Sequence, residues 1–174
     1  MNRQQLEHVV RAACAIADDD ELIILGSQAV LGQFPDAPAE LLTSMELDVF
    51  PKNKPELADL IEGSIGELSL FHETFGYYAD GVDETTATLP PGWRERLVPV
   101  RGPGTAGKTG WALEIHDLLL AKYVANREKD RIFTRAALRH RLADPGELKR
   151  RLTSTPLEVA LKAQIARRIE ADSP

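Results

Sequence analysis

The chain is 174 residues long, carries a net charge of −6 at neutral pH and contains one cysteine. That length suits one domain, which buries roughly 70% of its unfolded surface on folding and therefore needs no crosslink. The single Cys14 excludes an internal disulfide, and its place on the apolar face of a predicted helix indicates a core position. Because the first residues are polar and no apolar run approaches the roughly 18 residues of a membrane span, we expect a cytoplasmic protein without a signal peptide or membrane contact.

The first part of the chain alternates predicted helices and strands. Apolar spacing predicts a helix over residues 2–18, and the apolar run 22–25 predicts a buried strand. Gly26 and Ser27 follow at the point where this strand turns into a helix. Residues 45–50 alternate apolar and acidic side chains, which predicts a second strand.

The rest of the chain becomes increasingly helical. The pattern predicts, in order, a helix over 55–70, strands over 77–82 and 97–100, a glycine-rich turn over 102–110, a strand over 111–115, a long helix over 116–142, and helices over 147–152 and 157–171. Pro99 favours an edge position for its strand. Strands followed by helices indicate an α+β fold, with a mixed sheet core over about 1–115 and a helical C-terminal part over about 116–174 of one domain.

Glu46 and Asp48 are the first candidates for chemistry. They lie two residues apart in an otherwise apolar strand, where like charges repel unless a cation neutralises them. Carboxylates on one face of a strand suit Mg²⁺, which takes few protein ligands and completes its shell with phosphate and water. The alternative is an amphipathic strand with a solvated acidic face.

Gly26 and Ser27 are candidates for binding phosphate. Glycine lets the backbone approach a ligand, and N–H groups at a helix start can hold a phosphate with help from the serine hydroxyl. The pair alone is typical of many turns. The order of apolar strand, Gly-Ser, helix and acid-x-acid strand, however, supplies both parts of a site for nucleotidyl transfer. Because one Mg²⁺-triphosphate must bridge them, we expect the two parts within about 10 Å of each other.

This order resembles the nucleotidyltransferase superfamily, in which Gly-Ser or Gly-Gly on a strand-to-helix turn is followed by Asp-x-Asp on the next strand. Over about 22–133 the chain is most similar to the AbiEii and MenT-type toxins and their relatives. Those proteins also carry a lysine and an Arg-x-Lys-Asp-like segment later on, here Lys122 and 127–130. The catalytic residues that the resemblance implies are Glu46, Asp48, Lys122 and Asp130, the first two as Mg²⁺ ligands. The residues that it implies for nucleotide binding are Gly26, Ser27 and Lys122.

Two features depart from the family pattern. Glu46 stands where the family usually has aspartate, so its carboxylate lies one methylene further out and moves the ion or demands compensation. On the straight helix predicted over 116–142, Asp130 lies about 12 Å along and about 80° around from Lys122. An ion pair with a neighbouring basic residue is therefore the alternative role for Asp130, and a solvated surface position is the alternative for Lys122.

Other residues compete for these roles. Glu114, on a later predicted strand, is a candidate third carboxylate, whereas Asp117 is expected to cap the long helix. Residues 102–109 fit the P-loop formula G-x-x-x-x-G-K-[ST] at every position. A predicted strand follows where a P-loop needs a helix, so we expect a mobile hairpin loop near the site, in which Lys108 contacts phosphate or RNA.

Together these features predict a Mg²⁺-dependent enzyme that transfers a nucleotidyl group from a nucleoside triphosphate. The toxin resemblance implies RNA such as tRNA, or a protein hydroxyl, as acceptor and an antitoxin as partner. Residues 122–151 carry a local charge of +6 against −12 for the rest of the chain, which fits RNA or a solvated helix face. Two alternatives stay open. One is a catalytically inactive binding module with the same fold, and the other is a P-loop protein in which Lys108 is essential.

Overall fold

A five-stranded mixed sheet lies at the centre of the computed structural model, which describes residues 1–173. The strands are β1 (Glu21–Ile24), β2 (Glu46–Pro51), β3 (Tyr78–Gly81), β4 (Val98–Val100) and β5 (Thr109–Ala112). Their order across the sheet is β3-β2-β1-β5-β4. The β1 strand is antiparallel to β2 and parallel to β5, while β3 is parallel to β2 and β4 is antiparallel to β5. The acid-bearing β2 is thus hydrogen-bonded to the central strand.

Eight α-helices accompany the sheet in residues 1–173. They are α1 (Arg3–Ala17), α2 (Val30–Gln33), α3 (Ala58–Ile65), α4 (Leu70–Phe75), α5 (Ile115–Ala125), α6 (Glu128–Arg139), α7 (Pro145–Ser154) and α8 (Val159–Asp172). Four of them follow the last strand, which confirms the α+β class with a helical C-terminal part. Within the described residues, none combines the length and the apolar composition that crossing a membrane requires.

The first helix is specified by its cap and by its apolar face. Asn2 accepts a hydrogen bond from the N–H of Gln5, whose side chain accepts one from the N–H of Asn2. This reciprocal pair satisfies two donors that the first turn of a helix leaves free. Leu6 and Val9 are fully buried, and Cys14 is buried as predicted. Burial raises the pKa of the Cys14 thiol to about 12, so the residue is an unreactive part of the core.

Two predicted helices are broken in the structure. The long helix predicted over 116–142 is two helices, because Asn126 adopts the left-handed conformation, with φ of 56°, and ends α5. The helix predicted over 55–70 consists of a 3-10 turn and α3, which ends at Gly66. The break at Asn126 matters for function because α6 then packs back against α5.

The strand assignments hold with shifted ends. Pro99 lies in β4, which is an edge strand as predicted. The strand β5 spans Thr109–Ala112 instead of 111–115, so Glu114 lies outside the sheet. The helix expected after Gly26-Ser27 is a 3-10 turn, Ser27–Ala29, followed by the single turn of α2.

Candidate active site

The end of β1 brings the predicted phosphate site against the predicted metal site. The N–H of Leu25 donates to the backbone carbonyl of Asp48 at 3.0 Å, so the pairing of β1 with β2 continues to this point. Gly26 comes next, and a Cβ atom there would stand 1.5 Å from Oδ2 of Asp48. Only glycine fits at this position. The backbone at Gly26 touches the Asp48 carboxylate, well inside the expected separation of about 10 Å.

Three carboxylates share one face of β2 and β3. Glu46 and Asp48 alternate along β2 with Leu47 and Val49, which are fully buried. Alternation puts both acids on the same face of the sheet. The parallel register pairs Asp48 with Asp80 of β3, so Asp80 lies beside it on that face. Asp80 is a third acid of the site.

Sequence reasoning misses Asp80 because it places the third acid on a strand further along the chain. A signal exists, since residues 77–82 are predicted as a strand in which Ala79 separates Tyr78 from Asp80. Local periodicity, however, does not reveal which strand pairs with β2. The pairing of β3 with β2 is a property of the whole sheet.

Glu114 and Asp117 have structural roles. Glu114 is the N-cap of α5: its carboxylate accepts the N–H of His116 at 3.1 Å and forms an ion pair with Arg151. Asp117 is fully buried and accepts from Arg96 and Arg151, each at 2.8 Å. The expectations for both residues are wrong, because Glu114 caps the helix and Asp117 neutralises two arginines.

The surroundings of Asp48 and Asp80 disfavour their ionised forms. Burial raises the pKa of Asp48 to about 6, and the charges of Glu46 and Asp80 act in the same direction. Burial, followed by the charge of Glu46, also raises the pKa of Asp80. Among residues 1–173 no hydrogen-bond donor to the Asp48 carboxylate offsets this cost. A cation at this face would therefore stabilise the ionised acids.

The donor set fits Mg²⁺ better than a metal held entirely by protein. In the part of the chain that the structure describes, no three Asp, Glu, His or Cys side chains form a group able to hold a metal ion. Mg²⁺ usually takes one or two carboxylates and completes its octahedral shell with water and substrate phosphates. The hard oxygen atoms of the partly buried Glu46 and Asp48, which line an open cavity, suit an ion that enters with a nucleotide.

Lys122 faces the acids across the site and contacts the phosphate motif. Its Nζ donates to Oγ of Ser27 at 2.8 Å and to Oδ1 of Asp130 at 3.2 Å. The estimate that a straight helix separates Lys122 from Asp130 is wrong, because the break at Asn126 returns α6 to α5. Burial lowers the pKa of Lys122, and the charge of Asp130 opposes that shift. The lysine is a buried cation, not a solvated surface residue.

Asp130 positions two cations. Its Oδ2 accepts from Nε of Arg127 at 2.7 Å and from the Arg127 backbone N–H at 3.2 Å, while Oδ1 accepts from Lys122. Burial by itself raises the pKa of Asp130, but the hydrogen bonds from Arg127 and the charge of Lys122 bring it below its usual value. Because both oxygen atoms are occupied, Asp130 acts on the site through Lys122 and Arg127.

Glu46 lies at the rim of the acid group. Its carboxylate accepts from the Tyr78 hydroxyl and from Nζ of Lys129, each at 3.4 Å. Both bonds are long, and Lys129 is exposed to solvent, so these contacts are weak. The extra methylene of Glu46 lets its carboxylate reach this rim.

These side chains surround a cavity of about 450 Å³, within the usual range for small-molecule sites. Its charged lining residues are Glu46, Asp48, Asp80, Lys122, Arg127 and Lys129. The rest of the lining is mainly apolar, with two hydroxyls, and includes Val82, Thr86, Thr88, Leu113, Leu118 and Ala121. One cavity therefore offers acids, cations and an apolar slot.

The glycine-rich segment 102–109 lies at the other end of the same strands. Thr109 of β5 pairs with Glu21, the first residue of β1, whereas the acids adjoin the last residue of β1. The segment connects two antiparallel strands, and β5 begins where a P-loop requires a helix. The expected position near the site is wrong.

The backbone of this loop is also already occupied. The N–H of Gly104 donates to Oε2 of Glu7 at 3.1 Å, and a Cβ atom on Gly102 would stand 2.3 Å from Oε1 of the same residue. Lys108 forms an ion pair with Asp20. A carboxylate thus fills the place that a phosphate takes in a P-loop, and the P-loop interpretation is wrong.

Comparison with known proteins agrees with this geometry. No curated protein and no solved structure matches the chain. The sequence model of a family described as a nucleotidyltransferase of unknown function (DUF6036) matches residues 4–170, nearly the whole chain. The match spans the glycine-serine turn, the acid-bearing strands and most of α8, and it supports the superfamily without reaching the toxin branch. The chain therefore belongs to the DUF6036 family of nucleotidyltransferases of unknown function.

Proposed function

We propose that this protein transfers a nucleotidyl group from a Mg²⁺-bound nucleoside triphosphate to an acceptor hydroxyl. The observation that carries the proposal is the joining of three parts in one cavity. The Gly26 backbone touches Asp48, and Ser27 accepts a hydrogen bond from the buried Lys122. A phosphate grip, an acid group and a cation are the parts that phosphoryl chemistry needs, because its catalysis is mainly positioning and charge neutralisation.

The nucleotide has one orientation that matches the charges. Lys122 and Arg127 lie on the side where the triphosphate would meet Gly26 and Ser27. The short helix after Ser27 offers little dipole, so the lysine and arginine supply most of the positive charge. The apolar slot past Val82 and Leu118 suits the nucleobase, and Thr86 and Thr88 offer hydroxyls to its edge.

The transfer step uses the acids in two ways. When bound, Mg²⁺ would be held by Glu46 and Asp48 and would neutralise negative charge on the phosphates. The acceptor oxygen attacks the α-phosphorus, and the bond from that phosphorus to the pyrophosphate oxygen breaks, so pyrophosphate leaves. The hydroxyl proton passes to Asp80, which lies beside Asp48 in the strand register and lines the same cavity.

The resemblance to the AbiEii and MenT-type toxins extends the proposal to an acceptor that is either RNA, such as tRNA, or a protein hydroxyl, and to an antitoxin partner. The structure bears on RNA through the basic segment 122–151. Five of its basic side chains pair with acids outside the segment, namely Lys129, Arg135, Arg139, Lys149 and Arg151. This neutralisation leaves less free positive charge for a nucleic-acid backbone than the sequence count indicates.

One observation favours a second candidate, a binding module without catalysis. Lys129 already forms an ion pair with Glu46, the residue that stands in place of the usual aspartate. An ammonium group at this carboxylate competes with a metal ion. Such a module would bind a nucleotide and transfer nothing.

Calorimetric titration of the purified protein with ATP, CTP, GTP and UTP in the presence of Mg²⁺ tests the proposal. Asp48→Asn should abolish binding, whereas the matched variant Lys108→Ala, at the far end of the sheet, should bind like the wild type. Radiolabel transfer from the α-phosphate of the tightest triphosphate then separates an enzyme from an inactive module. Absence of triphosphate binding in the wild type, or full binding by Asp48→Asn, would contradict the proposed site.

A further inference from the structure

A second cavity, of about 820 Å³, adjoins the nucleotide pocket, and Glu46 and Asp80 line both. We name it the acceptor cleft. Beyond the two shared acids, its main lining residues are Asp59, Glu62, Glu67, Leu68 and Tyr78. A substrate in this cleft meets the nucleotide pocket at Asp80, the residue proposed to take the proton.

The acceptor cleft is strongly negative. Five carboxylates line it, and neither lysine nor arginine is among the lining residues that the structure describes. Asp59 and Glu62 lie three residues apart on α3 and therefore on the same face of that helix. Within residues 1–173, Asp59, Glu62 and Glu67 form no ion pair, so no basic side chain offsets their charges.

The two cavities separate charge across the acid group. Lys122, Arg127 and Lys129 line the nucleotide pocket and are absent from the acceptor cleft. A triphosphate is attracted to the first cavity. A polyanion such as RNA would bring its phosphates against Asp59, Glu62 and Glu67 in the second, and like charges oppose association.

We propose that the acceptor cleft binds a basic segment of a polypeptide that carries the accepting hydroxyl. This inference rests on the proposed function and selects the protein hydroxyl over RNA. Leu68, which lines the cleft, is 81% exposed, so the cleft is open to solvent at this residue and accessible to a polypeptide segment. Leu68 and Tyr78 offer apolar surface to the aliphatic stems of lysine and arginine, whose charged ends then meet the carboxylates.

The covalent step forms and breaks the same bonds as the proposed transfer, with the acceptor now a side-chain hydroxyl of the bound segment. The serine, threonine or tyrosine oxygen of the bound segment forms a bond to the α-phosphorus and loses its proton to Asp80. Pyrophosphate departs with the electron pair of the broken bond. The products are a nucleotidylated polypeptide and pyrophosphate.

Fluorescence anisotropy tests the binding directly. The full-length protein, with Mg²⁺ and a non-hydrolysable triphosphate, is titrated into a labelled peptide of lysines with one central serine, and separately into a labelled single-stranded RNA. We expect the peptide to bind and the RNA not to bind. Asp59→Asn/Glu62→Gln/Glu67→Gln should weaken peptide binding about tenfold, since each exposed charge pair contributes a modest amount.

A matched control changes the net charge equally outside the cleft. Glu56, Glu73 and Glu158 are exposed and do not line it, so Glu56→Gln/Glu73→Gln/Glu158→Gln should change peptide affinity less than about twofold. Equal losses in both triple variants, no peptide binding by the wild type, or tighter binding of RNA would overturn the inference. Calorimetric triphosphate binding by the cleft variant distinguishes the two proposals, because it should persist even where the acceptor inference fails.

Discussion

Gly26-Ser27 and the loop 102–109 lie at opposite ends of the paired strands β1 and β5, and each places glycine backbone against a carboxylate. Beside Gly26, no group among residues 1–173 donates a hydrogen bond to the Asp48 carboxylate that offsets its burial, and Lys122 stands opposite. Beside Gly104, Glu7 accepts the backbone N–H and also pairs with Arg3. In the loop 102–109 the carboxylate and the backbone N–H satisfy each other, whereas Gly26-Ser27 lies in a cavity whose carboxylates are not offset in this way. The surroundings of a phosphate motif decide its chemistry more than the motif itself does.

Alanine at a glycine in each region gives the largest expected contrast. Gly26→Ala places a Cβ atom in the Asp48 carboxylate, so we expect triphosphate affinity to fall at least about 100-fold, equivalent to about 2.7 kcal/mol. Gly104→Ala brings a Cβ atom to 2.9 Å from both Cβ and Oε2 of Glu7 and should cost about 1 to 3 kcal/mol of folding stability while leaving triphosphate affinity within about twofold. Calorimetry measures the first effect and thermal unfolding the second. Normal binding by a folded Gly26→Ala variant would remove this glycine from the site.

Methionine at a lysine in each region should give the next largest contrast. Lys122→Met removes a buried cation that contacts Ser27, and we expect triphosphate affinity to fall about 10- to 100-fold, as for the loss of charged hydrogen bonds. Lys108→Met removes only an exposed ion pair with Asp20 and should leave the affinity unchanged. The same calorimetric titration compares them. If Lys108→Met lost binding and Lys122→Met kept it, the assignment of the two regions would be reversed.

The residues that the sequence places correctly are those whose role follows from local pattern. The turn at Gly26 just after β1, the alternation of Glu46 and Asp48, and the burial of Cys14 all follow from spacing within a few residues. The left-handed turn at Asn126 is what brings Lys122 to Asp130, and helical periodicity runs through it. The signal for this turn is Asn126 itself, because asparagine tolerates the left-handed conformation at a helix end.

The features that the sequence does not reveal depend on partners far along the chain. Asp80 joins the site because β3 pairs with β2, and the loop 102–109 is closed by Glu7, about a hundred residues earlier. Periodicity reports which face a side chain occupies and says nothing about which distant residue covers it. The same limit explains why the charge of segment 122–151 overstates its free basic surface, since Arg139 pairs with Glu40.

Because burial and the neighbouring acids disfavour ionised Asp48, replacing Asp48 with asparagine should stabilise the metal-free protein. The folded pKa of about 6 lies above the ordinary 3.8, so ionised Asp48 disfavours the folded state. That cost appears as pH rises from about 4 to 6 and is complete above that range. Asp48→Asn should therefore be more stable than the wild type by about 1 to 3 kcal/mol at pH 8 and about equal at pH 4.

Urea unfolding in EDTA at both pH values measures this difference. In the loop region, Asp20→Asn removes an exposed ion pair with Lys108 and should change stability by less than about 1 kcal/mol at either pH. A lower stability of Asp48→Asn than of the wild type at pH 8 would show that ionised Asp48 does not destabilise the metal-free fold, and would remove this argument for a metal ion at the carboxylate. The gain should also come with loss of triphosphate binding, as expected where a site is built at the expense of stability.

Shortening one glutamate in each region should give the smallest effects. Glu46→Asp withdraws the carboxylate from Tyr78 and Lys129, which frees it for an ion, so the Mg²⁺ concentration for half-maximal transfer should fall a few-fold. Glu7→Asp gives up its reach to the Gly104 N–H, costs about 1 kcal/mol of stability and leaves the Mg²⁺ dependence unchanged. Transfer assays over a Mg²⁺ series compare the two variants.

Shortening a carboxylate that works through a metal changes the Mg²⁺ dependence, whereas shortening one that closes a loop changes only the stability. If Glu46→Asp changed stability alone, Glu46 would belong with Glu7 as a structural acid, and the binding module without catalysis would be the better description of the protein.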